Sequence, residues 1–173
     1  MLFLSAPRIA LLAMDMDLAA LQASSRAAFF NAIAVTHCPA WPPEPFGEVA
    51  VQWTLDNLKA DPAAEGWFGW LLLANEGEHK PPQIVGAGVL LGRPDEDGDV
   101  ELVVAVRPEF AGRAYERDAA KALSRWALAN GAERVLVHFD AEESHAAEAF
   151  AASGFIDTQE PPYPGVARWA ATA

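Results

Sequence analysis

Between residues 67 and 106 three apolar runs follow one another with only turn-forming segments between them. Residues 67–74 are too apolar to face water on both sides. Residues 83–91 carry Gly86 and Gly88, and residues 100–106 follow an Asp97-Gly98 turn signal. Strands that succeed one another across such short links pair antiparallel, so a β-meander is the frame on which the rest must be built. Pro108 ends the third strand, and Tyr115, Ala119, Ala122, Leu123 and Trp126 recur at helical spacing as far as Asn130, with Gly131 placed as the C-terminal cap. Residues 134–139 then read as a short strand. Strand, helix and strand in succession predict one parallel crossover, between residues 113 and 139.

Residues 8–14 predict a further strand, closed by Asp15 as the cap of a helix that begins near Met16. Leu18, Leu21, Ser25 and Ala28 or Phe29 fall on one face of that helix. Residues 38–47 hold four prolines and two aromatics, which excludes regular helix and predicts an ordered loop anchored by Trp41 and Phe46. A second helix over residues 48–60 presents Val49, Trp53 and Leu58 and stops at Asp61-Pro62. Residues 75–82 read as a polar loop, residues 142–153 as an alanine-rich helix ended by Gly154, and Phe155 onward as one or two closing strands. The order is strand, two helices, three meander strands, helix, strand, helix, strand. A mixed, mostly antiparallel α/β sheet satisfies it. No repeat, low-complexity stretch or linker interrupts the 173 residues, so 1–173 is expected to fold as one unit.

Composition narrows the functions. A chain of this length buries about 70% of its unfolded surface and needs no staple. Twelve Lys and Arg against 24 Asp and Glu leave a formal charge of −12, which argues against nucleic acid as a partner. Lone Cys38 cannot pair within the chain, and His37, His79, His138 and His145 are scattered without metal-ligand spacing, so no metal is expected. The adjacent His37 and Cys38 read as a loop pair. Pro7 and Arg8 interrupt the apolar N-terminal stretch, which fits a signal peptide badly, and no apolar run reaches the roughly 20 residues a membrane span needs. The chain reads as cytoplasmic and free of membrane.

Chemistry concentrates between Val104 and Asp118, where a strand passes through small residues into a helix start. Amides in a first helical turn lack internal acceptors and the dipole there is positive, so an anion can be held by backbone alone. Arg107, Arg113, Arg117, Lys121 and Arg125 place five of the 12 basic residues within this region of an acidic chain. That reversal favours an anionic ligand; a solvated helix face with i,i+4 pairs is the other reading of the same spacing.

Across most of its length the chain resembles the GCN5-related N-acetyltransferases, in the branch similar to the ribosomal-protein N-terminal alanine acetyltransferases. The matches occur in family order: Trp41-Pro-Pro-Glu, Asp61-Pro-Ala-Ala-Glu-Gly-Trp, Ile84-Val-Gly-Ala-Gly, residues 95–101, Val106-Arg-Pro-Glu-Phe-Ala-Gly-Arg-Ala-Tyr, and Ala151-Ala-Ser-Gly-Phe. The resemblance implies a mixed sheet with a splayed central strand pair, helices on both faces, and acetyl-coenzyme A as cosubstrate in the splay. It places the pantetheine arm beside Val104 and Val106. The pyrophosphate falls on Gly112, Arg113, Ala114, Tyr115 and Glu116, flanked by Ala111 and Arg117. Three positions of the family signature depart from it: Ala111 in place of Gln or Arg, Ala114 in place of Gly, and Glu116 in place of Gly or Ala.

The resemblance also assigns Glu101 as the catalytic base that takes the ammonium proton of the acceptor; a salt-bridged strand carboxylate is the other reading of the same residue. The usual tyrosine acid is replaced by Phe150, and the positions of the family's asparagine and small residue on that helix fall on Glu143 and Ala146. A thiol of pKa near 8.5 leaves tolerably without a side-chain acid. Trp41 and Trp70 are the expected substrate-binding residues, in an aromatic wall that also includes Pro42, Pro43, Phe46, Trp53 and Trp67; core packing is the other reading of each tryptophan. The acceptor is an amine, on a protein N-terminus or on a small molecule. Two functions stand side by side: acetyl transfer to a primary amine directly from acetyl-coenzyme A, and a noncatalytic binding module of the same fold, for which Ala111, Ala114, Glu116 and Phe150 speak. A homodimer through the N-terminal segment and the Trp-Pro loop is compatible with both.

Overall fold

The computed structural model describes residues 1–75, 77 and 81–173. Its strands are β1 (Phe3–Ser5), β2 (Ala10–Ala13), β3 (Gly69–Ala74), β4 (Gln83–Leu90), β5 (Asp99–Val106), β6 (Arg134–Asp140), β7 (Ile156–Asp157) and β8 (Val166–Thr172). Its α-helices are α1 (Met16–Ser24), α2 (Arg26–Ala32), α3 (Glu48–Ala60), α4 (Tyr115–Ala129) and α5 (Ser144–Ser153). The strands form one eight-stranded sheet of order β1-β2-β3-β4-β5-β6-β8-β7, antiparallel throughout except for the β5–β6 pair. The mixed, mostly antiparallel α/β sheet is therefore as the sequence predicts, and the parallel crossover runs through α4.

Two elements depart from the expectation. The N-terminal strand has a partner, β1, folded back by a tight turn in which the Ala6 N–H donates to the Ile9 carbonyl at 2.9 Å. The helix after Asp15 breaks at Ser25, whose extended backbone (φ −152°, ψ 97°) ends α1 and starts α2 while its hydroxyl accepts from the Ala28 N–H. A serine competes for backbone groups in this way more readily than it continues a helix. Part of the expected loop at 75–82 lies outside the described residues.

The meander's glycines set the layer spacing. A Cβ on Gly88 would stand 2.7 Å from Leu123 Cδ1 of α4, so the helix sits directly on the sheet there. Gly88 is opposite Val104 and Trp70 in register, which assigns the face of each strand. Val100, Leu102, Val104 and Val106 look toward α4, and Glu101, Val103 and Ala105 look toward the opposite layer, because side chains alternate along a strand. That second layer is α1 and α3 with the proline-rich loop; Met14 and Thr54 approach Gly69 from it. α3 has the predicted bounds but not the predicted face. Thr54, Leu55 and Leu58 are buried, whereas Val49 is 86% exposed and Trp53 lies at the edge. Fully burying a side chain such as Leu58 or Leu123 stabilises by about 1.5–3 kcal/mol, which holds α4 to the sheet and α3 to α1.

Candidate active site

β5 and β6 begin as a regular parallel ladder and then part. Asp99 faces Arg134, Val100 faces Val135 and Glu101 faces Leu136; beyond that pair the ladder stops although both strands continue, β5 to Val106 and β6 to Asp140. Between the diverging strands lies a slot of about 280 Å³, lined by Leu102 and Val104 from β5, His138 and Phe139 from β6, and Ala146 and Phe150 from α5. The other edge of β5 is engaged with β4, Val104 opposite Gly88 and Val106 opposite Gly86. Backbone groups of β5 beyond Glu101 that point toward β6 therefore face the slot instead of a neighbouring strand.

The slot opens toward the start of α4. A second cavity of about 200 Å³ there is lined by Val106, Ala111, Gly112, Ala114, Tyr115 and His145, among others, while Glu116, Arg117 and Ala149 border both spaces. Gly112 (φ +76°) and Ala114 (φ 61°, ψ 20°) turn the chain through the left-handed region to bring the helix in. For alanine that conformation costs roughly 1–2 kcal/mol. Among the described residues no side chain caps α4. The first bond of the helix is from the Asp118 N–H to the Ala114 carbonyl, 3.1 Å, so the amides of Tyr115, Glu116 and Arg117 precede it and are available to an anion. The Ala111 N–H, by contrast, already donates to the Pro108 carbonyl. Tyr115 is buried, with its ring against Phe110.

The basic residues divide. Arg107 is turned inward: its Nη1 donates to the Ile84 carbonyl at 2.7 Å, Nη2 pairs with Glu109, and the guanidinium lies 5.1 Å from the Phe110 ring centre. Arg113 covers the same ring at 5.1 Å. Lys121 and Arg125 face away from the slot, bordering a separate groove with Arg8 and the β1–β2 turn. Arg8 donates to both carboxylate oxygens of buried Asp118, at 2.9 and 2.8 Å. Of the five basic residues grouped in the sequence, Arg117 is the one that lines the slot and the second cavity.

Glu116 works against an anion at this spot. Loss of water around its carboxyl, though the residue as a whole is exposed, holds its pKa above the usual 4.5; the Glu143 carboxylate adds to the rise, while His145 and a hydrogen bond from the Val106 backbone oppose it. Phe150, where the resemblance implies a tyrosine, stacks on Phe139 at 5.4 Å and meets Phe155 edge-on at 5.5 Å, giving the slot an aromatic wall without a proton to donate.

Glu101 stands at the apex of the splay, on the face opposite α4. Its Oε1 is 3.1 Å from His138 Nδ1, and His138 Nε2 accepts from Arg168 Nε of β8 at 3.0 Å. Neither His138 nor Arg168 is distinguished in the sequence. Both are ordinary strand residues until the β5–β6–β8 register aligns them; the one available signal is that Leu136 and His138 share a strand face.

The same face carries a small cavity bordered by Met14, Gln22, Trp41, Phe46, Thr54 and Val89, among others. Trp41 is buried, stacked 6.2 Å from Phe29, and its Nε1 has no partner among the described residues. Trp70 is 0% exposed, its indole edge-on to Trp126 of α4 and its Nε1 donating to the Gly66 carbonyl at 2.8 Å, so its side chain belongs to the core under the opposite face. Trp67 likewise packs on Trp126. Among the described residues no three His, Cys, Asp or Glu side chains are grouped to hold a metal ion, and no helix is long and apolar enough to cross a membrane.

A mixed sheet whose parallel pair splays over a slot, with an uncapped helix start at the slot's open end, defines the architecture of an acetyltransferase. Residues 9–156 match the acetyltransferase (GNAT) domain, and the chain belongs to that family. No curated protein matches the chain. Among solved structures it is similar to an acetyltransferase from Agrobacterium tumefaciens, with TM-score 0.64 and 16% identity over 100% of this chain and 95% of that one. It is also similar to the ribosomal-protein-S5-alanine acetyltransferase from Vibrio fischeri, with TM-score 0.62 and 14% identity over 99% and 97%. A third is the microcin C7 self-immunity acetyltransferase in complex with acetyl-CoA and AMP, with TM-score 0.58 and 12% identity over 96% and 93%. Identities this low speak to the shared fold.

Proposed function

We propose that the chain transfers an acetyl group from acetyl-CoA directly to a primary amine. The observation that carries this reading is the end of the β5–β6 ladder at Glu101 and Leu136, which leaves a slot continuous with the uncapped start of α4. An extended pantetheine arm fits such a slot as an added strand along Val104 and Val106. The amides of Tyr115, Glu116 and Arg117, with Gly112, Arg113 and Ala114 shaping the turn, fit a pyrophosphate. The thioester supplies an activated acyl carbon and a leaving thiol.

Glu101 is on the same face of the sheet as the cavity under Trp41 and Thr54, the layer from which an acceptor would approach. An amine arrives at neutral pH as ammonium and attacks only after losing a proton; Glu101 accepts it, directly or through water. Trp41 offers a buried N–H donor to the acceptor's polar part, and Trp70 supports the wall from beneath. An amine on a protein N-terminus or a small molecule suits this arrangement, and the structural neighbours include a spermidine N-acetyltransferase and a ribosomal-protein-S5-alanine acetyltransferase.

Glu116 favours a second reading, a noncatalytic module in which the phosphate cradle has been closed by charge. Calorimetric titration with acetyl-CoA, CoA and dephospho-CoA separates the two. Micromolar binding supports the transferase, and silence at millimolar ligand supports the module. Thiol release with a screened set of amines then tests the base: E101Q is expected to lower turnover about 100-fold or more with CoA affinity unchanged.

A further inference from the structure

We infer that His138 and Arg168 are positioning residues that hold Glu101 as the proton acceptor; this rests on the reading of Glu101 as base. The hydrogen-bond directions decide the roles. A guanidinium nitrogen only donates, so the 3.0 Å contact with Arg168 Nε makes His138 Nε2 an acceptor. The single proton of a neutral imidazole then sits on Nδ1, which faces Glu101 Oε1 at 3.1 Å. His138 therefore donates to the carboxylate and leaves its second oxygen, Oε2, to take a proton from the amine.

An imidazole held at Nδ1 by a carboxylate ordinarily serves as a base through Nε2. Here that nitrogen is engaged by a group that cannot give up its own proton at accessible pH. Arg168 thus fixes the tautomer, and the tautomer fixes Glu101.

Three strands converge to build the array. Glu101 and Leu136 are the last ladder pair, and His138, the next β6 residue on that face, reaches back across the opening gap. Arg168 lies opposite His138 on β8, and its own carbonyl accepts from the Thr158 N–H and hydroxyl at 3.0 and 2.8 Å, which anchors it. The neighbouring pair on this face, Asp99 with Arg134 at 2.6 Å, is satisfied within itself and does not compete for Glu101.

The test is ¹⁵N NMR of the His138 ring in the full chain at pH 7, with H138N identifying the signals by their loss. The expected spectrum shows a protonated Nδ1 and a bare Nε2. A proton on Nε2, or a doubly protonated ring, overturns the inference whether or not an acceptor amine is known. In turnover with an active amine, H138A is expected to lower kcat about 10- to 100-fold with KM little changed, since a hydrogen bond to a charged group is lost. H138N keeps an N–H near the position of Nδ1 and is expected to recover most of that loss. H138A at the wild-type rate overturns the inference, as does a folded H138N as impaired as H138A. E101Q at the wild-type rate removes the base reading itself, which the NMR result keeps distinct from a failure of the His138 assignment.

Discussion

Replacing Glu116 with glutamine keeps its size and removes the charge that borders both the slot and the cavity at the start of α4. A phosphate on the first-turn amides would sit roughly 5 Å from that carboxylate, where two unit charges repel by about 0.8–1.7 kcal/mol at the effective dielectric of about 40–80 suited to an exposed residue. E116Q is therefore expected to bind CoA roughly 4- to 20-fold more tightly than wild type at pH 7.5, read by calorimetry. The gain depends on pH in a definite direction. The Glu116 pKa is raised above 4.5 by desolvation first, so as pH falls through it the wild-type carboxyl becomes neutral and the ratio of the two Kd values moves toward one. Phosphate titration in the ligand affects both proteins and cancels in that ratio. Stability follows the same sign. The native state binds this proton more tightly than the unfolded chain, so the charged form costs stability above the folded pKa, and the cost is gone below the ordinary value. E116Q should melt above wild type at pH 7.5 and together with it near pH 4. Equal or weaker CoA binding by E116Q at pH 7.5, or a ratio that does not move with acid, refutes the placement of the phosphates on this turn.

Ala114 occupies a left-handed conformation that glycine adopts freely. A114G is expected to gain about 0.5–1 kcal/mol, a rise of roughly 1–4 °C in Tm, and an unchanged or lower Tm would contradict the strain. Asp118 is 5% exposed and takes both hydrogen bonds from Arg8, with Arg117 a more distant 3.9 Å away. R8A should cost about 1–3 kcal/mol in urea unfolding, because a buried carboxylate loses its main partner; a loss under about 0.5 kcal/mol would show the pair to be incidental. F150Y restores a phenol to the slot wall, yet turnover is expected to change by less than about threefold, since a thiol near pKa 8.5 leaves without a donor. An increase of tenfold or more in steady-state rate would show that thiolate departure limits the reaction.

Much of the fold was legible because its signals are local. Asp97-Gly98 turns β4 into β5, Gly131 and Gly154 end their helices, and the β5–α4–β6 crossover follows from element order alone. Even the odd alanine at 114 was visible as a departure at the helix entrance. Legibility failed where the deciding partner is distant. Helix α3 has the bounds its sequence predicts, but Leu58 lies about 140–180° around the helix from Trp53 and Val49, so those three fix no single face; packing chiefly against α1 buries Thr54, Leu55 and Leu58 and leaves Val49 outside. Three-residue β1 carries too short a pattern to be read before it pairs with β2. The arginines behave likewise. Spacing on α4 groups Arg117, Lys121 and Arg125, and only the sheet beneath determines that Arg117 borders the slot as well as the Arg8 groove while Lys121 and Arg125 border the groove alone.

What the sequence alone determines is the order of elements from α3 to α5, the family, and a helix entrance suited to an anion, since periodicity, turn chemistry and motif order are properties of neighbouring residues. The tertiary structure decides where the β5–β6 ladder ends, which face Glu101 takes, and that Trp41 borders a cavity on that face while Trp70 lies in the core under the other. It also decides the line from Glu101 through His138 to Arg168, whose members are 37 and 30 positions apart in sequence and meet through the register of three strands. A one-residue slip of either ladder would send His138 to the other face of the sheet, which is why no local pattern could have announced it.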